Sequence, residues 1–273
     1  MMESLVKQFD NKAFSAIFRL RIKQQTQPET QFPPFLSRSF FMIHFIQTPS
    51  AEQSAETLAQ AVAQNLRDAL AKQDRATLAV SGGKSPIAFF QALNQIELDW
   101  ARVNITLVDE RLVPTQHTDS NTGLVRQYLL QNKAQAAKWL PVVSDEATES
   151  SLKNTSEAVA FALQHYVQPD VLILGMGGDG HTASIFPQAP QFADAVRADY
   201  PQPLLHTTPV TAPHERVSMT LAAIEATKHV YLSIAGAAKR EVYDQAAQAA
   251  VQQFPVSYVL NSQKVETHVI YND

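Results

Sequence analysis

The chain has 273 residues, a net charge of −4 at pH 7, 45% apolar and 18% charged residues, enough for one large domain or two small ones. This balance describes a folded protein with a sizeable core, and it gives no electrostatic case for nucleic acid or an anionic membrane as partner. With no cysteine, disulfides, thiolate catalysis, Cys-ligated zinc and iron–sulfur clusters are excluded together, and no apolar run approaches the ~18 residues needed to span a bilayer.

The chain opens on a segment unlike the rest. Residues 1–41 hold six Lys/Arg against three Asp/Glu, and seven of the 14 Phe, and they include the Pro/Gln stretch QQTQPETQFPPF. The apolar residues of KAFSAIFRLRIK (12–23) are interrupted by Arg19 and Arg21, so the segment lacks the continuous apolar core of a signal peptide. It reads as a poorly ordered extension, or as sequence upstream of a true start at Met42; a basic amphipathic or transit-like peptide is the other reading. Residues 42–273 are then the folded domain.

From Met42 (MIHFIQTPS) onward, helix and strand signals alternate. Ser50 is placed to cap a helix over AEQSAETLAQAVAQNLRDALAKQ, with Ala55, Leu58, Ala59, Val62, Leu66 and Leu70 on one face. ATLAVS (76–81), NITLVD (104–109) and DVLILG (170–175) are short apolar, β-rich runs that end in polar or glycine residues. Helices are predicted for PIAFFQAL, NTSEAVAFALQHYV (154–167) and AAKREVYDQAAQAA, and strands for RVSMTL (216–221) and HVYLSIAG (229–236). VETHVIYN (265–272) alternates and reads as an edge strand. Buried strands joined through helices predict an α/β fold: a doubly wound, mostly parallel sheet with helices on both faces. In such sheets ligands bind beyond the carboxyl ends of the strands.

Three polar clusters follow predicted strands directly. SGGKSP (81–86) places Gly82, Gly83, Lys84 and Ser85 where backbone N–H groups can approach an anion. It is not a Walker A loop, because Leu78 stands where that motif needs glycine. VDERLVPTQHTDSNTGLVR (108–126) is the densest polar stretch. It sets Asp109, Glu110 and Arg111 at a strand end, although Glu110 and Arg111 pairing, with Asp119 or Ser120 capping the next helix, would explain it structurally. LGMGGDGHTASIFP (174–187) matches GxGxxG, but Pro187 and Pro190 stop the helix that a dinucleotide site requires. Its notable feature is His181 beside Asp179 at a glycine-made helix start, where a neutral imidazole can act as a general base. Arg216, at the start of a strand, and Lys239, after Gly236, are the remaining cations that could reach the same crevice. The histidines show no metal-ligand spacing, and no metal is expected.

In order along residues 42–273, the blocks SGGKSP, VDERLVPTQHTDSN, VLILGMGGDGHTASIFP, PHERVSMT and GAAK closely resemble the 6-phosphogluconolactonases of the glucosamine-6-phosphate isomerase/lactonase superfamily. The resemblance implies a doubly wound α/β fold and hydrolysis of 6-phospho-D-glucono-1,5-lactone in the oxidative pentose phosphate pathway, with no cofactor. It implies cytoplasmic location, a sugar-phosphate lactone as the small-molecule partner and glucose-6-phosphate dehydrogenase as the pathway neighbour. Lys84 and Ser85 stand where the family commonly has Ser–Thr, and residues 1–41 have no counterpart. The amino-sugar deaminase branch shares the His181 and Asp109 positions, but it carries a glutamate where this chain has Phe186, and DEY where it has DER. A non-catalytic sugar-phosphate sensor is the other alternative; it would need a DNA-binding unit that residues 1–41 do not offer.

With no Cys and no GxSxG elbow, direct attack by water is the economical route. The expected roles follow. His181 is the base and Asp179 or Asp109 its orienting carboxylate. Arg111 serves the substrate or the oxyanion, and Gly82, Gly83, Lys84, Ser85, Arg216 and Lys239 meet the phosphate.

Overall fold

The computed structural model describes residues 43–273, so the reading of residues 1–41 as an extension falls outside it. Ten strands form two sheets: β1 (His44–Thr48), β2 (Ala76–Val80), β3 (Val103–Leu107), β4 (Asp109–Arg111), β5 (Lys138–Trp139), β6 (Val171–Leu174), β7 (Leu204–Thr207), β8 (Arg216–Met219), β9 (His229–Ala235) and β10 (Thr267–Asn272). Eight α-helices accompany them: α1 (Ala51–Leu70), α2 (Ile87–Leu93), α3 (Asn121–Tyr128), α4 (Thr155–His165), α5 (Phe192–Ala195), α6 (Leu221–Glu225), α7 (Ala237–Ala246) and α8 (Val256–Leu260).

The larger sheet has seven strands in the order β1-β10-β9-β6-β2-β3-β5, every pair parallel. Every residue of β2, β3 and β6 is buried. Since successive side chains point to opposite faces, a strand buried throughout must be covered on both, as a doubly wound sheet requires. Helix α1 forms as its sequence dictates. Ser50 Oγ accepts the N–H of Gln53 as N-cap, and the predicted apolar face is buried together with Ser54 and Ala63. That face lies on the sheet and on α2.

Chain order creates the crevice. From β2 the chain moves outward to β3 and β5; from β6 it moves the opposite way, through β9 to β10. The reversal falls between the adjacent strands β2 and β6, and the loops leaving their carboxyl ends diverge there. Ser81 stitches the two loops at their root. Its N–H and Oγ both donate to the carbonyl of Ile173, and its Oγ accepts the N–H of Gly175.

The structure departs from expectation in four places. The run 104–109 does not continue as one strand. At Val108 the backbone donates to Val80 and accepts from Met219, and β4 turns away to enter a second, antiparallel sheet in the order β4-β8-β7. Arg216 therefore reaches the site from the start of an antiparallel strand, not from a parallel one. VETHVIYN is not an edge: β10 lies between β9 and β1, and β1 takes the edge. No helix starts at His181; Ala183 has φ 49°, and an isolated bridge between Thr182 and Ile185 makes the segment a tight turn. Strands β1, β5 and β7, of five, two and four residues, and the short helices α5, α6 and α8 have no predicted counterpart.

Candidate active site

A cavity of about 280 Å³ opens at the carboxyl ends of the central strands. Ser81, Gly82, Gly83 and Ser85 form one wall, Gly175–Gly177, His181 and Phe186 another. Asp109, Arg111, Asn121, Arg216 and Lys239 close it from the small sheet and from α7.

His181 is held by its own loop. Its Nδ1 lies 2.6 Å from Asp179 Oδ1, which also accepts the His181 backbone N–H. The Gly177 N–H donates to the His181 carbonyl, closing the turn. A Cβ on Gly177 would lie 2.2 Å from the imidazole Cε1 and Nδ1, so only glycine leaves room for the ring. Phe186 stacks on the imidazole at 4.3 Å and 29°. The hydrogen bond with His181 holds the Asp179 carboxyl below the usual carboxylate range. An ionised Asp179 at Nδ1 keeps that nitrogen protonated and leaves Nε2 with the basic lone pair, the orientation a general base needs.

Of the two candidate carboxylates, Asp179 is the one in contact with the imidazole. Asp109 is buried, and its Oδ2 accepts from Ser184 Oγ at 2.5 Å, not from the imidazole. Ser184 is itself fixed by a bond from its N–H to Ser218 Oγ. Asp109 thus presents a carboxylate to the cavity independently of His181.

Glu110 has no ion pair with Arg111. Fully buried, it accepts from the backbone N–H groups of Arg111, Asn121 and Thr122 and from the hydroxyls of Ser120 and Thr122. Ser120 caps α3, so this carboxylate and that cap fix the start of the helix. Asn121 donates to the Asp109 carbonyl, and its side chain lies where a Cβ on Gly82 would come within 1.9 Å. Gly82 is therefore required by close packing against Asn121, and Gly83 by its φ of 87°.

Three cations face the cavity. Arg111 Nη1 donates to the Asp119 carbonyl, while its Nε is buried without a partner among the described residues. Arg216 is buried and lies beside Arg111 in the β4–β8 register, donating to the carbonyls of Pro213 and His214. Burial pushes its pKa below the ordinary guanidinium value. Lys239, in the first turn of α7, is also pushed down by desolvation, the sole cause, and has no anionic partner among the described residues. A partly desolvated ammonium facing the cavity without a counter-ion is suited to receive an anion. Lys84 differs: it is exposed and does not line the cavity, so this loop offers backbone N–H groups and the Ser85 hydroxyl but not the expected ammonium.

Folding also unites residues that sequence spacing kept apart. His117, Asp119 and His214 meet at the rim, although no metal motif joins them in sequence. Ser184 and Asn121 were not read as site residues, because what they do depends on partners 75 and 12 residues away.

The sequence profile described as glucosamine-6-phosphate isomerases/6-phosphogluconolactonase matches residues 49–269. The chain belongs to this family. Among lactonase members, the 6-phosphogluconolactonase of Neisseria meningitidis serogroup A is 60% identical over 222 residues, 81% of this chain and 96% of the relative. That of Helicobacter pylori strain 26695 is 41% identical over 74% of this chain and 86% of its own length. A crystal structure of a candidate 6-phosphogluconolactonase from Neisseria gonorrhoeae superposes with a TM-score of 0.83 at 58% identity, covering 85% of this chain and all of the other. A monomeric glucosamine-6-phosphate deaminase, at 16% identity and a TM-score of 0.61, shares the fold alone.

Proposed function

We propose that this chain hydrolyses 6-phospho-D-glucono-1,5-lactone to 6-phosphogluconate. The observation that carries the reading is the His181–Asp179 pair opening onto a cavity whose opposite walls hold an unpaired lysine and two arginines. His181 Nε2 takes a proton from water as it attacks the lactone carbonyl, and Asp179 stabilises the imidazolium that forms. The same proton returns to the ring oxygen as the C–O bond breaks, so His181 ends the cycle neutral. Arg111 supplies positive charge near the carbonyl. The phosphate dianion is met by Lys239, Arg216 and the N–H groups of the Gly82–Ser85 loop.

Phe186 supports the lactonase over the deaminase reading. Its ring is stacked on His181 at the position where the deaminase branch carries a carboxylate for ring opening. The cytoplasm, where glucose-6-phosphate dehydrogenase forms the lactone, is the proposed location, and none of the described helices is long and apolar enough to cross a membrane. The deciding experiment is turnover of freshly generated lactone by purified protein, measured above the spontaneous rate, beside a glucosamine-6-phosphate deamination assay. Catalysed hydrolysis without deamination is expected. Deamination alone would assign the other branch, and binding without either reaction would make the protein a sensor.

A further inference from the structure

We propose that His117, Asp119 and His214 form a binding site for one divalent transition-metal ion of the zinc class at the rim of the cavity. Each side chain offers one ligand atom, and the three atoms lie within 4.8 Å of one another. His214 Nε2 donates to Asp119 Oδ2 at 2.9 Å across 95 residues of sequence, and His117 Nδ1 stands 4.0 Å from the same oxygen. The two imidazoles meet edge to face at 5.4 Å.

Zinc holds histidine nitrogen and carboxylate oxygen at about 2.0–2.2 Å, so tetrahedral ligands stand roughly 3.4 Å apart. From a spread of up to 4.8 Å the cluster needs to contract by at most about 1.4 Å, within reach of side-chain rotation at partly exposed residues. Two imidazoles and a carboxylate are a donor set for zinc, nickel or cobalt, and the solvent-facing side leaves the fourth position to water. Magnesium and calcium, which prefer oxygen ligands throughout, are disfavoured.

The backbone behind the ligands is anchored. Arg111 holds the Asp119 carbonyl, while Arg216 holds those of Pro213 and His214. His214 is kept at φ 70°, a left-handed conformation that costs a non-glycine residue free energy and persists only where its surroundings impose it. Binding through these atoms requires His214 to shift its Nε2 proton to Nδ1, and His117 Nδ1 to give up the bond it accepts from the Asp119 backbone N–H at 3.1 Å. The two guanidinium groups behind the ligands oppose a cation, which weakens the expected affinity. A bound ion would tie residues 114–120 to residues 208–215, the loops that hang from the two cavity arginines.

The test is calorimetric titration of the full, EDTA-treated chain with zinc chloride and, separately, magnesium chloride, with melting temperature followed in parallel. One equivalent of zinc with a raised Tm is expected, and no response to magnesium. Since even outer-shell partners of a metal are worth about 10–100-fold in affinity, His214→Ala and Asp119→Asn should each cost at least about tenfold. His181→Ala should bind as tightly as wild type. Circular dichroism checks that each variant is folded, and His117→Gln replaces any that is not. Absence of saturable binding at one equivalent overturns the site, as does binding that survives these substitutions or is lost in His181→Ala.

Discussion

At the scale of single residues, His181 sits between constraints that each predict a measurable loss. Replacing it by alanine removes the base, and kcat should fall by about 10²–10⁴ with KM little changed; a variant keeping more than about a tenth of wild-type kcat would exclude it. Gly177→Ala tests position without touching the chemistry, because the new Cβ would lie 2.2 Å from the imidazole. A shift of about 1 Å in a reacting group can cost 10²-fold, so kcat should drop by roughly that factor while the Tm stays near wild type. Retention of half the activity would show that the ring has slack. The residues proposed to meet the phosphate divide in a way the sequence concealed. Lys239 has no other charged partner among the described residues, so Lys239→Ala should lower kcat/KM for the phosphorylated lactone by about ten- to 150-fold, from the 1.5–3 kcal/mol of a charge-assisted hydrogen bond, and barely affect unphosphorylated glucono-1,5-lactone. Arg216 also holds two loop carbonyls. Arg216→Ala should therefore impair both lactones, and steady-state kinetics on the pair separates the two residues; equal effects of Lys239→Ala on both substrates would move the phosphate elsewhere. Which residues could serve was legible in the motifs, because glycine turns and strand-end polar groups are local. Which carboxylate orients the imidazole was not, since Asp109 is claimed by Ser184, whose approach depends on the fold.

At the scale of elements, the parallel core was readable because β2, β3, β6 and β9 carry short, β-rich runs bounded by polar or glycine residues, and α1 its 3.6-residue period. The small antiparallel sheet was not, because three- and four-residue strands leave too little pattern, and β4 looks like the tail of β3. The misplaced edge at β10 has a different origin. Its alternation suggests one solvated face, whereas His268 is stacked between His44 of β1 at 4.8 Å and Tyr231 of β9 at 5.2 Å. Burial pushes the His268 pKa down, with the nearby His44 and His229 adding to it and Glu266 opposing; burial also lowers His229. A histidine whose folded pKa lies below its unfolded value of about 6.5 stabilises the fold fully above that value. The contribution is lost as pH falls toward the folded pKa, because the unfolded chain then takes up more protons. The melting temperature should accordingly drop between about pH 7.5 and 5.5, and His268→Phe should flatten that drop. Parallel losses in wild type and variant would assign the acid sensitivity to carboxylates.

At the scale of the whole molecule, the residues read into the site lie between Ser81 and Lys239, and the sheet that positions them begins at β1. We therefore expect a chain starting at Met42 to fold and turn over lactone like the full one, although residues 1–41 differ from the rest in composition. The sharper comparison removes eight more residues. A chain starting at Ser50 loses β1, whose five residues pair in parallel with β10 from His44 to Thr48. It also loses Thr48, whose hydroxyl donates within a buried contact to Ser54 and the Tyr271 carbonyl. That deletion exposes the backbone of β10 as a new edge, together with the apolar side chains that Phe45 and Ile46 cover. The Ser50 chain should melt several degrees lower and aggregate more readily, since each 1 kcal/mol lost lowers the Tm of a domain this size by about 2–4 °C. Its kcat below the transition should be close to wild type, because the cavity lies at the far side of β9 from β1. If the Met42 chain already shows the lower Tm, the first 41 residues contribute to the folded domain, and the boundary at Met42 is wrong. If the Ser50 chain melts with the full one, β1 is dispensable, and the stability of the sheet resides in its central strands.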